Sequence, residues 1–597
     1  MAAAMMFEAP GLLRSARVGC AYHVGRGPRA GARVSVVAVE GDSVVTAEGD
    51  RVLVCDLGGA PLPPEGHRLV APLPPFLKVP YAEVVRLGGS RRPGAWHGLR
   101  LPGTIEDVND AAWLTAAFRA CGALAADNAV VKVVYFEVLV VEGTYAQGGA
   151  GEKAIFDVEY ARPDRGLHTR LFAKVPWSPG RNGSWRERVS CRGDCDGREV
   201  SVYQFLGQAN VLPFETPKLY FADLDRESTD YVLVTERYVF PPSDLEVMLD
   251  PTNRKELTAP EPGTVLPHRD KFRDRYDPCP WPLRLEHYYG ALMRAQGRLG
   301  GVADRGDFGA LATEVWGGPP TPHRVHGALY GPLRWARPGA LVAGLVAKGL
   351  YLALGTAPGR WAVRCAARRI ARKGLAFAKT AGLFRALDVN AFEAETLEAC
   401  GFLPQVLPYL LWDPALTVFA HANLQPDNAR FVQGDRKHEL HVAPFDWSDA
   451  GYRSAPLAFA GTFAGCPHET FTRHEDAFFI SYCDELYAHG GRRLDNNDLR
   501  DCFRVCDATL NPLAVAYYVG ADVLLARGDV DFDKVEHVLH EHIQADWNTR
   551  CWVTNLHERV TAHTDRGDGR GLAATKALAR REATKVLGAL AGLLSFD

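Results

Sequence analysis

Residue types that can take a proton or hold a hard cation crowd one stretch of this chain. His421, Asn423, Asp427 and Asn428 stand close together, and Asp446 follows in Pro444-Phe445-Asp446-Trp447. Imidazole titrates near neutral pH, carboxylates accept protons or cations, and amides offer an oxygen without a charge. Upstream, a glycine-rich turn, Gly143-Thr144-Tyr145-Ala146-Gln147-Gly148-Gly149-Ala150-Gly151, separates two runs of β character. Glycines between antiparallel strands let backbone N–H groups approach phosphate oxygens with no Cβ in the way. Gly148, Gly149 and Gly151 are the candidates for that role. Lys174 lies near the end of a third β run, and Glu199 lies on the helical pattern after it, so neighbouring elements offer a cation and an anion. Each of these residues alone is an ordinary surface or turn residue; their order along the chain singles them out.

The elements that must hold them follow from periodicity. Val130–Val141, Ala154–Tyr160 and His168–Val175 read as strands, and in the second Phe156, Val158 and Tyr160 alternate with Asp157 and Glu159. Arg198–Gly207 carries Val200, Tyr203 and Leu206 at helical spacing. Tyr231–Glu236 is a strand with an abrupt polar end at Glu236. Helical patterns then dominate: Leu283–Leu299, Gly339–Leu354, Trp361–Leu387, Ala391–Cys400 and most of His474–Leu594. Strands first and helices after predict an α+β chain. A helix is also expected over Ala111–Ala126. Ahead of it, Arg33–Glu40, Ser43–Ala47 and Asp50–Asp56 are β-branched runs joined by compact turns, which predicts a small SH3-like module. A Pro-rich linker, Pro61–Pro75, follows. The expected division is 1–75 for the module and linker, 76–240 for a β-rich lobe with its preceding helix, and 241–597 for a helical lobe.

Bulk properties limit the partners. At 597 residues the chain is too long for one ordinary core. A formal net charge of −3 supplies no field to attract nucleic acid. The 13 cysteines lack a CxxC pair, and Cys191/Cys195 and Cys502/Cys506 have no nearby second pair, so neither zinc nor a disulfide framework is expected. The N-terminus lacks a long apolar run, so a cytoplasmic protein is expected, with an organellar leader as the alternative. Arg360, Arg364, Arg368, Arg369, Arg372, Lys373 and Lys379 form a basic stretch that offers either a solvated helix face or a surface for an anionic membrane or an acidic partner.

The set Lys174, Glu199, Val232–Glu236, His421–Asn428 and Phe445-Asp446-Trp447 resembles the aminoglycoside phosphotransferase and choline-kinase-like superfamily, which has a protein-kinase-like fold. Glu199-Val200-Ser201-Val202-Tyr203 and the Tyr482–Gly490 segment are similar to the ecdysteroid-kinase-like branch. The resemblance covers roughly residues 130–520 and implies a bilobal kinase-like fold that uses ATP and Mg2+ to phosphorylate a hydroxyl of a small molecule. It implies that Lys174 contacts the nucleotide phosphates and Glu199 orients it, that Gly148, Gly149 and Gly151 lie near those phosphates, and that Glu236 leads into the adenine-binding hinge. Asn428 and Asp446 would hold magnesium, and His421 would shape the loop.

Three departures bear on catalysis. Asn423 stands where the family has its catalytic Asp, Pro456-Leu457-Ala458 replaces an Asp-Leu-Ala, and Gln296 replaces a common His. An amide cannot accept a proton at neutral pH, and a general base is worth about 10²–10⁴ in rate. Asp427 or Asp449 would then be the substitute base. Two readings stay open: a small-molecule phosphotransferase slowed by Asn423, or a pseudokinase-like scaffold that binds nucleotide and a protein partner through its N-terminal module or basic stretch.

Overall fold

The structure is a computed structural model that describes chiefly residues 91–139, 151–178, 195–207, 210–241, 261–268, 283–309, 356–380, 389–513 and 569–594. Short backbone elements between residues 21 and 87, and single positions such as Arg186, Trp316 and Arg559, are also described. Gly148, Gly149 and the expected helix Gly339–Leu354 lie outside these residues.

Near the N-terminus, β1 (Ala21–Val24), β2 (Arg33–Glu40), β3 (Ser43–Thr46), β4 (Arg51–Leu53) and β5 (Leu57–Leu62) form one antiparallel sheet in the order β4-β3-β2-β1-β5. β2, β3 and β4 lie within the three β-branched runs that the sequence marks. β1 and β5 are additions to the expected set. A short helix α1 (Tyr81–Leu87) follows.

Helix α2 (Ala111–Ala120) starts at Asp110, whose carboxylate accepts from the backbone N–H of Ala112 and Trp113. It ends several residues before the expected Ala126 because Gly122 takes a positive φ of 74°. The second sheet comprises β6 (Val130–Val138), β7 (Glu152–Tyr160), β8 (Arg170–Val175), β9 (Leu219–Leu224) and β10 (Tyr231–Glu236), in the order β6-β7-β8-β10-β9 and antiparallel throughout. β9 is a short, fully buried run, and such a run has no alternation by which sequence could separate strand from helix. Between β8 and β9, helix α3 (Cys195–Ser201) carries Glu199 and widens into a π-helical turn over Val202–Gly207.

The two faces of this sheet differ, because successive side chains point to opposite sides. Phe156, Val158, Leu171, Ala173 and Val232 pack on one face with Phe118, Leu114 and Ile105. Leu233 and Tyr231 belong to the other face, which meets Val200, Leu299, Phe419 and Trp447.

The helical part contains α4 (Leu285–Arg305), α5 (Ala357–Thr380), α6 (Val389–Cys400) and α7 (Leu403–Trp412). Two hairpin-like pairs interrupt it. β11 (Thr417–His421) pairs with β14 (Ala450–Ser454), and β12 (Ala429–Gln433) pairs with β13 (Leu440–Pro444). Then α8 (Ala455–Thr462), α9 (His468–Ala488), α10 (Asn496–Ala508) and α11 (Arg570–Leu594) complete it. Their core gathers Leu292, Leu410, Phe459, Phe463, Phe479 and Phe503. The chain is therefore α+β, as its pattern predicts. Among the described residues no helix is long and apolar enough to cross a membrane.

The basic stretch on α5 is partly consumed within the fold. Arg364 pairs with Glu398 at 3.0 Å, Arg368 approaches Glu393 at 3.7 Å, and Arg360 lies over the Phe402 ring at 5.2 Å.

Candidate functional site

The site forms where the β sheet meets the helical part. Lys174 on β8 is 2% exposed and donates to Glu199 Oε2 of α3 at 2.7 Å and to Asp446 Oδ1 at 3.0 Å. Residues 272 positions apart are thus joined through one ammonium. Burial opposes the charge on Lys174, yet the Asp446 and Glu199 carboxylates hold its pKa above the ordinary value. Burial alone would raise the Asp446 carboxyl as well, but the Lys174 and Lys153 ammoniums hold it well below the usual carboxylate range. Burial lifts the Glu199 carboxyl to about 7 against the pull of Lys174. Asp446 is accordingly the firmer counter-ion. It also sits in the left-handed region, at φ 57° and ψ 63°, which is uncommon for a residue with a side chain. Strained backbone of this kind clusters at functional sites.

The loop below is held from both sides. His421 ends β11 and is fully buried. Its Nε2 lies 3.0 Å from Phe445 O, and its ring packs 4.7 Å from that of Trp447. Burial lowers its pKa, so the ring is neutral; with Nε2 donating to Phe445 O, Nδ1 accepts from Asn423 N at 3.3 Å. Gln296 of α4 grips the loop backbone twice: its Nε2 donates to His421 O at 2.6 Å, and His421 N donates to its Oε1 at 3.2 Å. The exchange at Gln296 therefore leaves no orphaned polar group, since one amide serves both the donor and the acceptor. Helix α8, which carries the Pro456-Leu457-Ala458 exchange, approaches so closely that a Cβ on Gly461 would lie 2.0 Å from Ala422 O. Glycine is required there.

Within the loop, Asn423 Oδ1 accepts from Gln425 Nε2 at 2.8 Å, and Asn428 Nδ2 donates to Asn423 O at 2.8 Å. These bonds turn the Asn428 amide so that its Oδ1 remains for another partner, and Lys174 likewise uses only Oδ1 of Asp446. One carboxylate oxygen and one amide oxygen match the few protein oxygens magnesium takes when phosphates and water complete its octahedron. No cluster of three or more His, Cys, Asp or Glu suited to a metal occurs among the described residues.

Asp427 is half-buried, and its backbone carbonyl lies 3.1 Å from His268 Nε2. Asp449 approaches Arg198 at 4.0 Å and is 41% exposed. Glu236 does not join the cluster. It pairs with Leu171, on the sheet face opposite Lys174, and its Oε2 accepts from Lys218 N at 3.0 Å and stands 3.7 Å from His168 Nε2. Strand alternation thus points the Glu236 carboxylate to the face opposite Lys174, away from the Lys174–Asp446 junction. Trp447 is core, fully buried and stacked on Phe214 at 5.8 Å.

One residue escaped the sequence reading. Lys153 on β7 is the cross-strand partner of Lys174, so both lysines share the face that meets Asp446. Gly151, two residues earlier, admits no side chain, because a Cβ there would lie 2.3 Å from Val175 O. Nothing in the local pattern marks Lys153, since the register of β7 on β8 is what pairs it with Lys174.

No protein-family model matches the chain, and no curated protein matches it in sequence. Solved structures do overlap it. A choline kinase from Cryptosporidium parvum Iowa II is 12% identical, with 72% of this chain and 90% of that chain covered at TM-score 0.31. A macrolide 2'-phosphotransferase from Brachybacterium faecium is 14% identical, with 63% and 89% covered at TM-score 0.28. A spectinomycin phosphotransferase, in complex with ADP and spectinomycin, is 10% identical, with 75% and 94% covered at TM-score 0.33. At TM-scores this low the overlaps carry no argument, and the site's own geometry carries the functional reading.

Proposed function

We propose that the chain has a kinase-like fold and is an ATP- and Mg2+-dependent phosphotransferase acting on a hydroxyl of a small molecule. The observation that carries this reading is the junction of Lys174, Glu199 and Asp446, in which one buried ammonium ties the sheet, the helix behind it and the loop strand together. Lys174 positions the nucleotide phosphates and Glu199 fixes the lysine. Gly151, which ends the glycine turn, packs so closely on Val175 O that no Cβ fits there. Asp446 and Asn428 hold magnesium, which supplies charge to offset the phosphates. Gln296 and His421 keep the loop in place.

The reaction makes a bond between the acceptor oxygen and the terminal phosphorus and breaks the bond to the leaving diphosphate. Asn423 cannot take the acceptor's proton, and its Oδ1 is already engaged by Gln425. The proton leaves to solvent or to Asp427. Positioning and charge carry most of phosphoryl transfer, so turnover is slow rather than absent. The same Asn423–Gln425 bond supports a second reading, in which the chain binds nucleotide as a pseudokinase-like scaffold.

Calorimetry with MgATP, with turnover followed on a panel of hydroxyl compounds, separates the two. Slow wild-type turnover, accelerated about 10²-fold or more by Asn423→Asp, supports the enzyme. Binding without turnover in both proteins supports the scaffold, and no binding removes both.

A further inference from the structure

Helix α5 carries a charge imbalance that the fold does not use up. Its 24 residues include Arg360, Arg364, Arg368, Arg369, Arg372, Lys373 and Lys379 and no Asp or Glu. Among the described residues, the acids that reach it come from α6. Arg364 donates to Glu398 at 3.0 Å, and Arg368 stands 3.7 Å from Glu393. Two carboxylates against this many cations leave the helix positive. Arg369 is exposed and has no partner among the described residues.

The imbalance has a direction. An α-helix turns about 100° per residue, so positions 361, 368, 369, 372 and 379 fall within one sector of about 100°. On the far side, Ala367 is buried against Leu397 and Cys400 of α6. Within the sector, Trp361 is 64% exposed and the Arg368 side chain 56%. At its described positions the sector therefore faces solvent, with an indole beside guanidiniums.

This combination selects one kind of anionic surface. Guanidiniums pair with phosphate and carboxylate, and an indole, apolar with one polar N–H, suits the headgroup layer of a bilayer. An acidic protein would be matched by the cations alone. In sequence, α5 is also preceded by Gly339–Leu354, whose only charge is Lys348, and apolar chain next to a basic face is the composition of a peripheral membrane anchor. The whole chain has a formal net charge of −3 and supplies no overall attraction. Exposed charges act over only about 10 Å at about 0.1 M salt, so the local patch decides.

We propose that the outward sector of α5 is a docking surface for an anionic membrane, with Trp361 seated among the headgroups and the arginines on lipid phosphates and carboxylates. It is independent of the nucleotide-binding reading of the cleft.

The test floats the full chain with vesicles of phosphatidylcholine alone and with vesicles containing about 30% phosphatidylserine. The proteins are the wild type, Trp361→Ala and the double variant Arg369→Glu/Arg372→Glu, and melting temperatures show whether each is folded. Should charge reversal prevent folding, Arg369→Gln/Arg372→Gln gives the same comparison. The wild type is expected to bind the anionic vesicles at least about tenfold tighter than the neutral ones, and to leave them as salt rises to about 0.5 M. The double variant is expected to lose about tenfold or more of that binding, and Trp361→Ala about threefold or more. Equal binding to both vesicles, or anionic binding that either variant leaves at wild-type strength, overturns the proposal. Binding to neither vesicle overturns it as well; if polyglutamate then captures the wild type and not the double variant, the face belongs to an acidic protein.

Discussion

Two buried ionic clusters in this molecule are built on different terms. In the helical part, Arg559 and Asp507 have side chains 3% and 5% exposed. Arg559 Nε donates to Asp507 Oδ2 at 2.6 Å, its Nη1 donates to Phe463 O at 3.2 Å, and Asn511 Nδ2 donates to Asp507 Oδ1 at 2.7 Å. Both carboxylate oxygens are used, and the Phe471 ring covers the guanidinium at 5.5 Å. In the cleft, a point-charge ammonium is shared between two carboxylates, a second ammonium stands opposite it, and Asp446 is 23% exposed. The planar fork of arginine suits a closed pair, whereas lysine suits a charge that must serve several partners. One cluster uses both carboxylate oxygens within the protein, whereas in the other Lys174 takes only Oδ1 of Asp446.

The comparison predicts opposite responses to charge removal. The largest effect is expected from Asp446→Ala: all magnesium-dependent enhancement of nucleotide binding disappears, while the chain stays folded because Glu199 still neutralises Lys174. Calorimetry with and without the metal, beside a melting curve, reads both halves. Retained metal dependence would show that Asp446 is no ligand.

Asp507→Ala is expected to act the other way. Leaving Arg559 buried and uncompensated costs about 3–5 kcal/mol, read as a lower urea midpoint, with nucleotide affinity of the folded fraction unchanged. A variant as stable as the wild type would erase the contrast between the clusters. A smaller loss, about 1–3 kcal/mol, is expected for Gln296→Leu, which strands the buried N–H and C=O of His421. Because those groups anchor the loop, turnover should fall further than nucleotide affinity.

The smallest effect concerns pH. Lys153 faces Lys174, Asp446, Glu199 and Asp427, and its folded pKa of about 8 lies below the ordinary lysine value. The unfolded chain therefore binds more protons above pH 8, and the contribution of Lys153 to stability rises from there towards pH 10.5. Subtracting the Lys153→Met stability profile isolates the trend, and identical profiles for the two proteins would show that Lys153 does not contribute it.

Much of the site is legible in the residues themselves. Lys174, Glu199, His421, Asn423, Asn428 and Asp446 are all marked by residue type and order; the structure joins Lys174, Glu199 and Asp446 through one ammonium and links His421, Asn423 and Asn428 within the loop. The strands bearing them are equally legible, with Tyr231–Glu236 found at the bounds the sequence indicates. What escapes the local pattern shares a cause. Glu236 closes a strand at the right place, but which face its carboxylate takes depends on which side of the sheet meets the helices. β9 is too short and too uniformly buried to show a period.

By itself, then, the sequence determined the order of elements, the α+β class and the identity of most chemistry-bearing side chains, because those follow from local periodicity and residue chemistry. Tertiary structure decided what meets what. It set Lys153 opposite Lys174 through strand register, clasped His421 with Gln296 across 125 positions, and closed Arg559 on Asp507 across 52. Such contacts join segments whose local patterns are independent of each other, and only the packing of one layer on another brings them within hydrogen-bonding distance.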